Sequence, residues 1–80
     1  MNVIIHNYRN CKYLINTNNI SCASFYPADP DSYAKVMEEY GGPLMFIDID
    51  WHYGLSTTIL VKPEVAEEFL KLYESAVEIF

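Results

Sequence analysis

The sequence predicts a small α+β domain in which two β-hairpins form one antiparallel sheet and two helices pack on one face of that sheet. Runs of β-branched and aromatic residues alternate with two segments of helical periodicity, which indicates a mixed fold. The 80 residues suffice for a single domain, residues 1–80, and not for two. Hydrophobic residues make up 51 % of the chain, so the material for one buried core is present.

Three extended segments are predicted at the start of the chain. Residues 2–8 and residues 11–15 are rich in strand-forming side chains and are separated by a short break. Residues 16–19, Asn-Thr-Asn-Asn, predict a turn, because asparagine bonds to nearby backbone and tolerates the left-handed conformation. We therefore expect residues 20–26 to return as the antiparallel partner of residues 11–15.

A first helix is predicted to begin at Asp29, whose carboxylate suits an N-cap, with Pro30 at the first helical position. Apolar residues then recur at the spacing of one helical face. These residues are Tyr33, Val36, Met37 and Tyr40. The Gly-Gly-Pro run that starts at Gly41 predicts the end of the helix, since glycine suits the left-handed cap and proline prevents continuation.

The clearest strand covers residues 44–51, where two sets of side chains alternate. One face carries Met45, Ile47, Ile49 and Trp51, and the other carries Phe46, Asp48, Asp50 and His52. A turn at Tyr53 and Gly54 leads into residues 55–61, which are rich in β-branched side chains. Residues 44–61 therefore predict the second hairpin.

The last helix is predicted to begin near Pro63 and to run to about Ile79. Its apolar stripe consists of Val65, Ala66, Phe69, Leu70, Tyr73, Ala76, Val77 and Phe80. Its outer face consists of Glu64, Glu67, Glu68, Lys71, Glu74, Ser75 and Glu78. The predicted order of elements is therefore ββ-α-ββ-α.

Charge is distributed unevenly along the chain. Residues 1–28 contain Arg9 and Lys12 and no acidic residue, a charge of +2, whereas residues 29–80 contain eleven acidic residues and three lysines, a charge of −8. The two parts sum to the net charge of −6. Such a negative field repels nucleic acid and anionic membranes and attracts basic partners. We therefore expect a basic protein as partner, with no direct nucleic-acid or membrane binding.

Cysteine usage and the lack of a signal-peptide pattern predict a cytoplasmic protein with reduced thiols. Cys11 and Cys22 are too few for a disulfide framework. Their spacing from His6 and His52 does not match the close ligand pairs of a structural zinc site. We expect no bound metal and no cofactor.

One pattern is compatible with catalysis. Asp48, Asp50 and His52 share a strand face, and two carboxylates with an imidazole can hold a divalent cation. However, a strand with one buried face must show polar residues on its other face. Metal sites that act on phosphates also recruit further acidic and positioning groups, which the sequence does not offer. We therefore predict no enzymatic activity, and keep a small metal-dependent enzyme as an alternative.

The predicted partner-binding residues lie on the last helix and at the turn of the second hairpin. The helix contributes a row of carboxylates: Glu64, Glu67, Glu68, Glu74 and Glu78. Such a row resembles the charges of a nucleic-acid backbone, and it can extend onto the acidic first helix if the helices lie side by side. Tyr53 adds a candidate aromatic anchor at the hairpin turn. A solvated helix face that maintains solubility explains the same row without a partner.

These features predict a small acidic module that inhibits or regulates a nucleic-acid-handling protein. Phage and mobile-element antagonists of host defence, including anti-CRISPR proteins and other DNA mimics, share this size and charge, which is an analogy and not a motif. An antitoxin or an immunity protein has the same general character. A self-associating structural protein is a further alternative, because an open sheet face or edge strand can form a homodimer.

Overall fold

The computed structural model describes the backbone of residues 1–77 and the side chains of residues 1–73. Within this part of the chain the fold is α+β, with five strands in two antiparallel sheets and two helices in the order βββ-α-ββ-α. The elements are β1 (Asn2–His6), β2 (Lys12–Asn16), β3 (Ile20–Pro27), α1 (Ala34–Tyr40), β4 (Met45–Trp51), β5 (Ser56–Val61) and α2 (Pro63–Val77). A short 3-10 helix, Thr17–Asn19, joins β2 to β3.

The first sheet is the hairpin of β1 and β2. The Asn7 side chain organises its turn, because Oδ1 accepts hydrogen bonds from the backbone N–H groups of Arg9 and Cys11, both at 2.9 Å. Asn10 takes the left-handed conformation, with φ of 64°, which asparagine adopts more readily than most residues. These local interactions pair β2 with β1.

The second sheet has the order β3-β4-β5, so β3 pairs with β4 and not with the segment before it. The prediction that residues 20–26 pair with residues 11–15 is therefore wrong, as is the prediction of one continuous sheet. The predicted order ββ-α-ββ-α is also wrong, because three strands and not two precede α1. The asparagine-rich segment forms a 3-10 turn that leads the chain out of the first hairpin. The new pairing sets Ala23 opposite Ile49 and Phe25 opposite Ile47, so that the apolar side chains of both strands share one face.

The predicted alternation along β4 is confirmed. Ile47 and Ile49 have no exposed surface, whereas Asp50 and His52 are exposed. Together with Ile59 and Val61 of β5, the buried side chains of β4 form the inner face of the three-stranded sheet. This inner face is the floor of the core.

Helix α2 and the residue that precedes α1 contact opposite faces of the second sheet. On the inner face, Phe69 of α2 is buried and its ring lies 5.9 Å from that of Phe25. On the outer face, Tyr33 at the start of α1 contacts Phe46 edge-on at 5.4 Å. The prediction of both helices on one face fails because the β1–β2 hairpin, through Val3 and its buried neighbours, fills the place beside α2.

The first helix is shorter than predicted. Asp29 forms a separate turn, in which its carboxylate accepts hydrogen bonds from Asp31 N–H at 3.1 Å and from the Ser32 hydroxyl at 2.9 Å. The helix therefore begins at Ala34 and not at Pro30. Its end is as predicted, since Gly41 takes the left-handed conformation with φ of 84°.

Replacing Gly41 with alanine tests this helix end. A Cβ at Gly41 or at Gly42 meets no atom within 4 Å, so neither substitution causes crowding. The two positions differ in their backbone, because Gly41 has a positive φ and Gly42 does not. We expect Gly41→Ala to lower the free energy of unfolding by about 1 kcal/mol, the cost of a left-handed alanine. The matched Gly42→Ala variant is expected to stay within about 0.5 kcal/mol of the wild type. Urea denaturation measures both, and equal losses would contradict the assignment.

Candidate protein-binding surface

The acidic face of α2 is formed by three exposed glutamates, Glu64, Glu67 and Glu68. The opposite side of the same helix buries Ala66 and Phe69 in the core, and this fixes which way the glutamates point. The sequence prediction is confirmed for these three side chains as far as their exposure goes. The Glu74 side chain and all of Glu78 lie outside the described residues.

The three glutamates are close neighbours on the helix. Residues three and four apart have Cβ atoms about 5–6 Å from each other, so Glu64 faces both Glu67 and Glu68. Glu64 lies in the first turn, where the helix dipole stabilises a negative charge. No such stabilisation reaches the second turn, so the repulsion between Glu64 and Glu68 costs a few tenths of a kcal/mol. The favourable position of Glu64 in the first turn offsets this cost.

Tyr53 lies apart from the acidic face. It is 65 % exposed at the turn between β4 and β5, and its ring stacks on Trp51 with a centroid distance of 6.0 Å. The Trp51 indole N–H donates a hydrogen bond of 2.9 Å to the Thr57 hydroxyl, which holds the stack in place. Glu64 lies beyond the other end of β5, and a strand of six residues spans about 20 Å. The structure thus does not bring Tyr53 and Glu64 together.

An apolar surface on the β1–β2 hairpin escaped sequence reasoning. Ile4 and Leu14 are directly paired and 59 % and 72 % exposed, although both belong to runs that contain buried residues. Of this apolar pair, Ile4 lines a small hollow between β1 and α2 together with Glu68. The signal was the uninterrupted apolar run from Val3 to Ile5, which leaves an apolar side chain on each face of the strand.

The acidic residues of α1 do not extend the acidic face of α2. Glu38 and Glu39 are exposed, but the end of α1 meets the beginning of α2, and the two helices do not lie side by side. A cavity of about 240 Å³ separates these two ends, and Tyr40, Lys62 and Glu64 are among its lining residues.

Asp48 and Asp50 share the outer face of the second sheet, as the alternation predicted. Each carboxylate accepts a hydrogen bond from a hydroxyl on β5: Asp50 from Ser56 at 2.7 Å and Asp48 from Thr58 at 3.3 Å. His52 is exposed beyond the end of β4. Among the described side chains, no three histidine, cysteine or acidic residues are grouped so that they can hold a metal ion.

The two cysteines are free and exposed, and they lie on different parts of the fold. Cys11 belongs to the turn of the first hairpin, whereas Cys22 lies on β3 opposite Asp50. The diagonal arrangement expected from pairing residues 11–15 with residues 20–24 is therefore absent.

Comparison with known proteins identifies no relative. The chain matches no protein-family model, and no curated protein and no solved structure shows significant similarity to it. In the part of the chain that the structure describes, no helix has the length and apolar character needed to cross a bilayer.

Removing the Thr57 hydroxyl tests whether its hydrogen bond to Trp51 stabilises the fold at the β4–β5 turn. Thr57→Val leaves the Trp51 indole N–H without its partner in a half-buried place, so we expect a loss of about 1 kcal/mol in the free energy of unfolding. The matched Thr58→Val variant removes only an exposed bond of 3.3 Å and is expected to cost less than about 0.5 kcal/mol. Because Trp51 is the only tryptophan, its fluorescence follows unfolding in both variants, and equal costs would contradict this role.

Proposed function

We propose that this protein is a cytoplasmic binding module that inhibits or regulates a basic, nucleic-acid-handling protein through the acidic face of α2. The observation that supports this most strongly is the exposure of Glu64, Glu67 and Glu68 on a helix whose other side is anchored in the core. A rigid helix presents these charges without a large ordering cost on binding, which favours affinity.

The electrostatics of this face suit a basic groove. Glutamates at steps of three and four residues advance by about 4.5–6 Å along the helix axis. The phosphates of one DNA strand advance by about 3.4 Å each, so the face matches their sign and linear order at lower density. Binding of this kind is driven by charge, and we therefore expect an affinity that falls steeply with ionic strength.

Apolar contacts beside the charges supply the specificity that charge alone lacks. Ile4 borders the acidic face across the hollow that it shares with Glu68. Interfaces commonly combine a few buried apolar or aromatic anchors with a polar rim. Tyr53 serves as a second, separate anchor on partners large enough to reach the β4–β5 turn.

Two alternative functions differ in how well the contacts favour them. An antitoxin or immunity protein uses the same chemistry against a different partner, and the experiment below names that partner. A metal-dependent enzyme built on Asp48, Asp50 and His52 is the weaker alternative, because these three side chains are not grouped so that they can hold a metal ion together.

Capture from an extract of the source cells, at low and at high salt, tests the proposal. The immobilised wild type is expected to retain a basic protein that acts on nucleic acid and to release it at high salt. The variant E64Q/E67Q/E68Q is expected to lose at least about tenfold in affinity for that protein, because its acidic face carries no charge.

The matched control is D31N/E38Q/E39Q, which removes three exposed charges around α1. Both variants change the net charge from −6 to −3, so overall charge cannot explain a difference between them. The control is expected to bind like the wild type. Equal binding by all three proteins, or an equal loss in both variants, would rule out the acidic face as the contact surface.

A further inference from the structure

Strand β2 has an open edge, because no residue in the described part of the chain forms a hydrogen bond with its outward backbone groups. Backbone bonds at both ends of the hairpin, from Asn7 N–H to Cys11 O and from Thr17 N–H to Met1 O, fix which residues exchange hydrogen bonds across it. Because this pattern alternates along an antiparallel pair, every second residue of β2 turns its N–H and C=O away from β1. These residues are Lys12, Leu14 and Asn16.

Each of the other strand edges within residues 1–77 is interrupted or covered over part of its length. On β3, a register shift between Ile20 and Cys22 and the proline at position 27 both interrupt an incoming ladder. On β5, Leu60 O already accepts a hydrogen bond from Tyr8 N–H. The far side of β1 faces α2. Proteins protect strand edges in these ways, and also with charged side chains, to avoid unwanted pairing. Of these features, β2 has only one charged residue, Lys12.

The outward groups of β2 are complementary to those of a second β2. Leu14 is the middle residue of this five-residue strand, so a two-fold axis at Leu14 sets Leu14 against itself and Lys12 against Asn16 of the other copy. All three outward-facing residues then form hydrogen-bonded pairs, each exchanging two bonds. A shift by one residue would instead set outward-facing groups against inward-facing ones and leave them unpaired.

The side chains support the same register. Leu14 and Ile4 lie on one face of the hairpin, so pairing about Leu14 produces a continuous apolar row across four strands. Charge also favours the antiparallel arrangement, because the two copies of Lys12 lie about 14 Å apart, beyond the Debye length at physiological salt. A parallel arrangement would place them side by side.

We propose that the chain forms a two-fold dimer through antiparallel pairing of β2 with β2 of a second copy, centred on Leu14. The dimer has one four-stranded sheet of order β1-β2-β2-β1. Since the axis is perpendicular to this sheet, both copies of α2 lie on the same side of it. The interface does not include Glu64, Glu67 or Glu68. An experiment that disproves the dimer therefore does not disprove the proposed acidic contact surface, and the reverse also holds.

Sedimentation equilibrium of the full chain tests the dimer over a range of concentrations. An interface formed by one pair of five-residue strands is small and belongs to the weak class of protein–protein interfaces. We expect the wild type to reach twice its monomer mass of 9.3 kDa with a dissociation constant below about 100 μM. High salt is expected to leave the dimer intact, since backbone bonds and apolar contacts hold it.

Two substitutions of Leu14 and one control locate the interface. Leu14→Pro removes an N–H that points away from β1, so it spares the hairpin, and we expect the dissociation constant to rise at least about tenfold. Leu14→Lys places like charges opposite each other and is expected to do the same. Ile4→Lys makes the same change on the same face, one strand away from the partner, and is expected to remain a dimer.

Circular dichroism verifies that each variant is folded. If Leu14→Pro is unfolded, the dissociation constant of Leu14→Lys alone tests the interface. A wild type that stays monomeric up to about 500 μM, well above the expected constant, overturns the proposal. A dimer that tolerates the Leu14 substitutions overturns it too. Equal loss in Ile4→Lys and Leu14→Lys also overturns edge pairing, because it indicates face-to-face packing of the hairpins.

Discussion

The burial of one face of β4 is the constraint on which the rest of the structure depends. Ile47 and Ile49 lose all their exposed surface, and both antiparallel neighbours, β3 and β5, align their own apolar side chains with them. The layer above, formed by α2 and the β1–β2 hairpin, then packs on this face with Phe69 at its centre. Because Ala66 and Phe69 of α2 are buried in this core, the opposite side of the helix, which carries the acidic face, is turned to solvent.

Local patterns in the sequence were sufficient for the elements but not for their pairing. The alternation along β4 and the helix end at Gly41 depend on neighbours in the chain, and both were predicted correctly. The partner of β3 depends instead on which distant strand offers matching apolar positions, and an asparagine-rich turn looks the same whether or not it closes a hairpin. Similarly, the Asp29 turn resembles a helix start, because the same carboxylate bonds serve both.

For the candidate surface too, features set by neighbours in the chain were predictable and features set by distant contacts were not. Helical periodicity was enough to predict that Glu67 is exposed, because one side of an amphipathic helix must face the core. The exposure of Ile4 and Leu14 was missed, since an apolar run predicts burial on both faces and only the three-dimensional arrangement shows that the outer face of the first hairpin is uncovered. An uncovered apolar pair beside an open strand edge is the feature that sets this hairpin apart from the second one.

Amide hydrogen exchange, resolved by residue and measured where the chain is monomeric, tests this architecture most directly. The account predicts that the amides of β4 exchange slowest, at rates close to those set by global unfolding. In β2 it predicts protected amides at Tyr13 and Ile15, which bond to β1, and rapid exchange at Leu14, which faces the open edge. Strong protection of Leu14 in the monomer, or exchange of β4 as fast as that of β2, would contradict the central place of β4 and the open edge of β2.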